Sequence, residues 1–146
     1  MLRKKLATCL ERAVIEAQQQ GSLANTALPD VVIEHPQNPE HGDFASGLPL
    51  KLARAMGISP LSIAEKVLEY IVLPAEVDKV VAAPPGFINF TLRGDWLAKQ
   101  VESILAFGDS YGDIAVGEGK RIQLEFVSVN PTGPLHVGHG RGAVLG

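Results

Sequence analysis

The sequence predicts an α+β fold, a two-layer domain whose antiparallel sheet carries its helices on one face. Three observations lead there. Apolar residues recur at helical spacing in four separate segments. Two extended runs, Val77–Ala83 and Phe87–Leu92, are joined by the turn residues Pro84, Pro85 and Gly86. Helices and strands follow one another as helix, strands, helices, strands, helix, rather than in strict alternation. Neighbouring extended runs joined by a short turn pair antiparallel, and helices grouped around them form a second layer.

The first helix occupies residues 1–20. Leu2, Leu6, Leu10, Ala13, Val14 and Ala17 fall three or four apart, with Arg3, Lys4, Glu11 and Glu16 elsewhere. Gly21 and Ser22 close it. Val31, Val32 and Ile33 form a short apolar run between turn residues and are expected to be a strand. Residues 36–43 are turn-rich, with His41, Gly42 and Asp43 expected to form a turn in which a side chain bonds to backbone. A helix carrying Leu48, Leu52, Ala55 and Met56 ends at Gly57. The next starts at Ser59 and Pro60, a serine cap followed by a proline whose missing N–H costs nothing there. Ile63, Ala64, Val67, Leu68 and Ile71 supply its buried stripe. A last helix of this domain runs from about Asp95, with Trp96, Leu97, Val101, Ile104 and Leu105 on one face, and Trp96 is expected in the core. Residues 1–110 thus form one domain.

Composition removes several functional classes. The 146 residues are 46% hydrophobic, 20% charged and 5% aromatic, with a formal net charge of -3. An apolar content near the globular average argues against disorder. No run approaches the roughly 18 uncharged apolar residues of a membrane span. The basic start resembles a signal peptide, but Glu11, Arg12 and Glu16 interrupt any apolar core of one, so a cytoplasmic protein is expected. The single cysteine, Cys9, suits a reducing compartment and falls among the packing positions of the first helix. A slightly acidic chain carries no broad basic coat, so nucleic-acid contact would be local and shape-dependent.

Residues 111–120 lie in a stretch rich in Gly, Asp and Ser and read as a linker. From Arg121 to Val129 the larger apolar side chains alternate at Ile122, Leu124 and Phe126, which predicts a strand. A turn rich in Gly, Pro and His, Asn130 to Gly140, then leads into a helix. One strand and an incomplete helix cannot bury both of their faces, so a longer protein is expected. In the turn, His136 and His139 are three apart and can face the same side. Gly138 between them allows close approach to the backbone. The following helix offers free N–H groups to an anion. Such a set suits polyphosphate and can stabilise charge building on phosphorus.

This arrangement resembles the His-x-Gly-His signature of class I aminoacyl-tRNA synthetases. The wider run EFVSVNPTGPLHVGHGRGAV, Glu125–Val144, resembles the arginyl-tRNA synthetase form of it closely, with Val129 where alanine is common. EHGDFA at 40–45 and PGFINF at 85–90 resemble that family too. The resemblance implies that residues 121–146 open a Rossmann-like class I catalytic domain. It implies that His136, Gly138 and His139 bind ATP and that both histidines act in catalysis, holding the phosphates while the arginine carboxylate attacks the α-phosphorus. Glu125, Ser128 and Asn130 would line the arginine pocket, where a carboxylate can accept two parallel bonds from a guanidinium. ATP with Mg2+ would serve the full-length enzyme, and none is expected bound to this chain alone. A Lys-Met-Ser-Lys-Ser-type loop, the second class I signature, is not in these residues. Half a site loses the positioning that drives such a reaction, so the chain by itself is expected to make no arginyl-adenylate.

The same resemblance implies that residues 1–110 bind the tRNA for arginine at its D-loop, through Phe87 and Asn89. Period-two alternation independently puts Phe87, Asn89 and Thr91 on one sheet face and Ile88, Phe90 and Leu92 on the other. The apolar set should meet the helices. An aromatic ring and an amide then stay on the open face, where a splayed-out base could stack and be read. Two other classes fit less well. Gly138, Gly140, Gly142 and Ala143 satisfy a loose dinucleotide-binding pattern, but eight residues separate it from the strand it should follow. A non-catalytic RNA-binding module would make residues 121–146 a vestige. The histidines and Cys9 lack the spacing of a metal site.

Overall fold

A computed structural model describes residues 2–113, 117–130 and 132–145. Met1, residues 114–116, Pro131 and Gly146 lie outside the described residues. They belong to the stretches expected from the sequence to be the first helix, the linker, the motif turn and the final helix. The chain divides into two compact units, Met1–Ala106 and Phe107–Gly146.

In the first unit, α1 spans Leu2–Gln19 and buries Leu6, Leu10, Ala13, Val14 and Ala17. These are five of the six positions that the helical spacing selects. Its end is a Schellman motif. The Gly21 amide donates to Gln18 O, the Ser22 amide to Ala17 O, and Gly21 takes a φ of 76°. Next come β1 (Phe44–Ser46), α2 (Leu48–Met56), α3 (Pro60–Glu69), β2 (Val77–Ala83), β3 (Phe87–Leu92) and α4 (Gly94–Phe107). Ser59 caps α3 as its sequence predicts, its hydroxyl accepting from the Ser62 amide. The sheet has the order β1-β3-β2 with both pairings antiparallel. On β3, Ile88, Phe90 and Leu92 are buried and join the side chains of α1, α2 and α3 in one core. The α+β architecture and the sidedness of β3 therefore follow the sequence.

Three expectations need correction. Val31–Ile33 is not a strand. The third strand is β1, and only Glu34 reaches it, bonded both ways to Ala45 at 2.9 and 2.8 Å. The sequence hides β1 because all three of its residues are buried, so it has no alternation to detect. Ser46 in β1 then fastens the apolar run from the side, its hydroxyl donating to Val32 O at 2.9 Å.

The helix expected from Asp95 exists, but its apolar face is not buried. Leu97, Val101, Ile104 and Leu105 are all exposed. Trp96 alone packs against the core, and it is partly buried. Helical spacing reports which residues share a face and not whether a neighbour covers it.

Residues 121–129 form no strand. Ile122, Leu124 and Phe126 alternate as read but are more than half exposed, and Val127 has a φ of 60°. A strand is defined by the neighbour that takes its backbone hydrogen bonds, and no described residue pairs with this segment. The second unit's α5 (Val137–Leu145) does form where the sequence places a helix.

Cys9 is half-buried, and its thiol donates to Val72 O at 2.9 Å. Burial pushes its pKa above the ordinary thiol value, and Arg12 offsets this in part. Its place between α1 and residue 72 agrees with the packing role expected of it. No described helix is long and apolar enough to cross a membrane.

Candidate nucleic-acid interface

The open side of the sheet holds a groove of about 500 Å³. Phe87 and Asn89 lie in it, as the alternation of β3 requires, together with Ala45 of β1 and Ala83 of β2. Register explains the grouping, since Asn89 pairs with Ala45 on one side and Val81 on the other. Pro84 and Pro85 line the groove at the β2–β3 turn, and Gly47 and the segment from Glu34 to His41 supply the rest of its lining.

The two residues differ in setting. Phe87 is 37% exposed, with its ring edge near the Gly47 backbone. Asn89 is only 5% exposed, so it is a recessed amide rather than a surface one. Its side chain makes no hydrogen bond among the described residues, yet no buried side-chain polar atom there lacks a partner. Both statements hold if the amide meets solvent in the groove. A recessed amide beside a half-exposed ring can hold a flat heterocycle, the ring by stacking and the amide at the edge.

The two shorter motifs meet here. Asp43 lies beside β3, its amide donating to Phe90 O at 2.8 Å and its carboxylate accepting from the Leu92 amide at 2.7 Å. A 3-10 turn at Pro39–His41 stands where residues 41–43 were expected to turn, and the expected side-chain bond to backbone is made by Asp43 across to β3, which ties the 34–41 segment to the strand that carries Phe87 and Asn89. His35, Gln37 and His41 also line the groove, which sequence reasoning missed as a group. Only the strand pairing brings them beside Asn89, and pairing partners are not written in local spacing. A larger depression of about 860 Å³ lies between α1 and residues 70–74, lined by Lys4, Arg12 and Leu73 among others. It gathers none of the motif residues, so the candidate interface is the smaller groove.

In the second unit, the expected nucleotide-binding residues come together at the start of α5. The His136 and His139 rings stack with centroids 3.7 Å apart. The Gly138 amide donates to His136 Nδ1 at 3.1 Å, and the His136 amide to His139 Nδ1 at 3.3 Å. Because both Nδ1 atoms accept, each neutral ring carries its proton on Nε2. A Cβ on Gly138 would stand 3.0 Å from His136 Cε1, so glycine suits this position. Glu125, Ser128 and Asn130 are exposed, and none of their side chains is hydrogen-bonded to the histidines or to one another among the described residues.

Comparison with known proteins places these features. The profile of the arginyl tRNA synthetase N terminal domain family matches residues 2–92, more than half of the chain. The chain belongs to that family. It is 50% identical over 137 residues to the arginine–tRNA ligase of Dehalococcoides mccartyi, covering 94% of this chain and 24% of that protein. It is 43% identical over 145 residues to the Coxiella burnetii arginine–tRNA ligase, covering 99% and 24% respectively. The chain thus spans about a quarter of the length of these curated relatives. Among solved structures, Thermus thermophilus arginyl-tRNA synthetase matches all of this chain and 22% of its own, with a TM-score of 0.59 and 24% identity. The Plasmodium falciparum enzyme matches 70% of this chain and 18% of its own, with a TM-score of 0.58 and 15% identity. These two likenesses concern the fold.

Proposed function

We propose that this chain is the N-terminal part of an arginine–tRNA ligase and that its first unit reads a base in the tRNA D-loop. The observation that carries this reading is the groove itself. An amide with no hydrogen-bond partner among the described residues is recessed beside a half-exposed aromatic ring, on the sheet of a domain matched to this family over residues 2–92. The chain's net charge of -3 suits recognition of one splayed-out nucleotide better than a broad clamp on phosphates. Asn89→Ala is expected to weaken binding of the cognate tRNA by about fivefold or more, since base-edge hydrogen bonds from such an amide carry about 1–3 kcal/mol. Binding of a tRNA altered at the D-loop base should hardly change. An Asn89→Ala chain that binds the cognate tRNA unchanged would remove this assignment.

In the whole ligase, the carboxylate of L-arginine attacks the α-phosphorus of ATP. An acyl-phosphate bond forms and pyrophosphate leaves; a tRNA hydroxyl then attacks the arginyl carbonyl, and AMP leaves as that bond breaks. Residues 121–145 belong, in this reading, to the class I nucleotide-binding fold. His136 and His139 hold the phosphates through their Nε2–H groups, donors aimed at charge that grows as pyrophosphate departs. Gly138 leaves room for the nucleotide. Glu125, Ser128 and Asn130 contribute to the arginine pocket, the carboxylate pairing with the guanidinium. No group of three or more His, Cys, Asp or Glu gathers among the described residues to hold a metal. Mg2+ would accompany the phosphates of ATP in the full-length enzyme. We place the ligase in the cytoplasm.

The 146 residues alone are expected to make no arginyl-adenylate. Arginine-dependent pyrophosphate exchange by the purified chain is the measurement. Exchange that vanishes in a His139→Ala variant would show that these residues suffice, contrary to the proposal.

A further inference from the structure

We infer that Glu34 is a second base-reading group in the groove, its carboxylate accepting a hydrogen bond from an exocyclic amino group of the base that Phe87 stacks. The inference rests on the D-loop reading above and adds to it a residue and a chemical preference.

Strand pairing fixes which way Glu34 faces. Its backbone exchanges two hydrogen bonds with Ala45, and Ala45 is in turn the register partner of Asn89. Directly paired residues put their side chains on the same face of a sheet. Glu34, Ala45 and Asn89 therefore form one row on the open face. The neighbours of Glu34 agree, since successive residues of an extended chain alternate. Ile33 is buried in the core, and His35 stacks on Phe44, the register partner of the fully buried Phe90. Both belong to the helix side, and Glu34, between them, lines the groove that holds Phe87 and Asn89.

The row leaves space for one base. Glu34 and Asn89 stand two strand spacings apart, roughly 10 Å, with only the Ala45 methyl between them. The Phe87 ring leans toward this gap, because a Cβ on Gly47, just past β1, would stand 3.4 Å from Phe87 Cε1. The space over Ala45 thus has the amide on one side and the carboxylate on the other.

That carboxylate is available. Glu34 is exposed, and neither ion pair among the described residues, Lys5–Glu76 or Arg93–Asp95, involves it. No described lysine or arginine lines the groove, so its lining holds no fixed cation to draw an RNA phosphate. What a carboxylate takes is an N–H donor, and bonds to a charged acceptor are the strong ones. Adenine, guanine and cytosine each carry an exocyclic amino group. Uracil presents carbonyl oxygens instead, which would turn lone pairs toward the carboxylate. The groove therefore favours an amino-bearing base.

The test uses the full chain and the tRNA for arginine, with matched tRNAs that each lack one D-loop base. The position whose loss weakens binding most identifies the base. A further tRNA then carries that base with its amino group replaced by hydrogen. The unaltered chain is expected to bind it about tenfold more weakly than intact tRNA, the size of one bond to a charged acceptor. Glu34→Ala keeps both backbone bonds to Ala45 and is expected to reduce this discrimination about fivefold. Glu34→Gln, which retains an oxygen acceptor, is expected to recover part of it. A Glu34→Ala chain with full discrimination overturns the inference, while leaving the reading through Asn89 intact. So does a change by one common factor for both tRNAs, which would make Glu34 only a source of repulsion toward RNA. A located base without an amino group overturns it as well. If the unaltered chain binds every abasic tRNA as tightly as the intact one, the D-loop reading itself fails, and Glu34 has no base to read.

Discussion

Phe90→Ala is expected to lower the stability of the first unit by about 3–5 kcal/mol, the usual cost of emptying a fully buried phenylalanine site. Phe90 is completely buried and sits at the middle of the central strand, its backbone paired with Phe44 on one side and Val80 on the other. Its side chain belongs to the core shared with α1, α2 and α3. Small domains hold only about 5–15 kcal/mol in total, so this one truncation removes much of the margin. At roughly 4–8 °C per kcal/mol for a domain of this size, the melting temperature should fall by at least about 12 °C. Thermal unfolding followed by circular dichroism measures it. A fall of a degree or two would mean that the core is not organised around β3, and that the groove on the other side of that strand has no rigid floor.

Gly42→Ala is expected to be nearly as damaging, for a different reason. Gly42 has a φ of 89°, and a Cβ there would lie 2.5 Å from Phe90 O and 3.1 Å from Thr91 Oγ1. The backbone conformation alone costs a non-glycine residue about 1–3 kcal/mol. The contact adds to this, because the Phe90 oxygen is backbone within a paired strand and has little room to give. The loop can relieve the clash only by moving off β3, which breaks the Asp43–Phe90 and Asp43–Leu92 hydrogen bonds. The stability loss should therefore come with a disproportionate loss of D-loop-dependent tRNA binding, measured at a temperature where the variant is still folded. A folded Gly42→Ala chain that discriminates D-loop variants like the parent would show that the 34–41 segment is not part of the interface.

How much of this was legible in the sequence depends on what kind of signal each feature leaves. The buried stripe of α1, the Ser59–Pro60 start of α3 and the two faces of β3 are local patterns, and they were readable from spacing and cap chemistry. β1 was not, because three consecutive buried residues, Phe44, Ala45 and Ser46, alternate in nothing and fall between a turn and a helix. The strand expected at 121–129 fails in the opposite sense, since Ile122, Leu124 and Phe126 alternate clearly but have no paired neighbour among the described residues. The apolar face of α4 carries the same lesson, with Leu97, Val101 and Ile104 correctly sharing a side that nothing described covers.

The site divides along the same line. Phe87 and Asn89 were readable because they alternate within one strand, and His136 and His139 because they stand in one turn. The burial of Asn89 was not readable, since it comes from Ala45 on the neighbouring strand and from the segment that Glu34 pins to it. His35, Gln37 and His41 were missed as groove residues for the same reason. Their distance from Phe87 in sequence is more than 40 positions, and only the antiparallel pairing brings their segment to the edge of the same groove.

The central claim is that the first unit recognises a D-loop base through the groove holding Phe87 and Asn89. The most direct test is to titrate the 146-residue chain with the tRNA for arginine and with a copy changed only at the D-loop base, at two salt concentrations, following Trp96 fluorescence or a gel shift. The account predicts weaker binding of the changed copy at both salt concentrations, because base contacts do not depend on counterion release. Equal affinity for the two tRNAs, falling together as salt rises, would contradict it and leave only general attraction to phosphate.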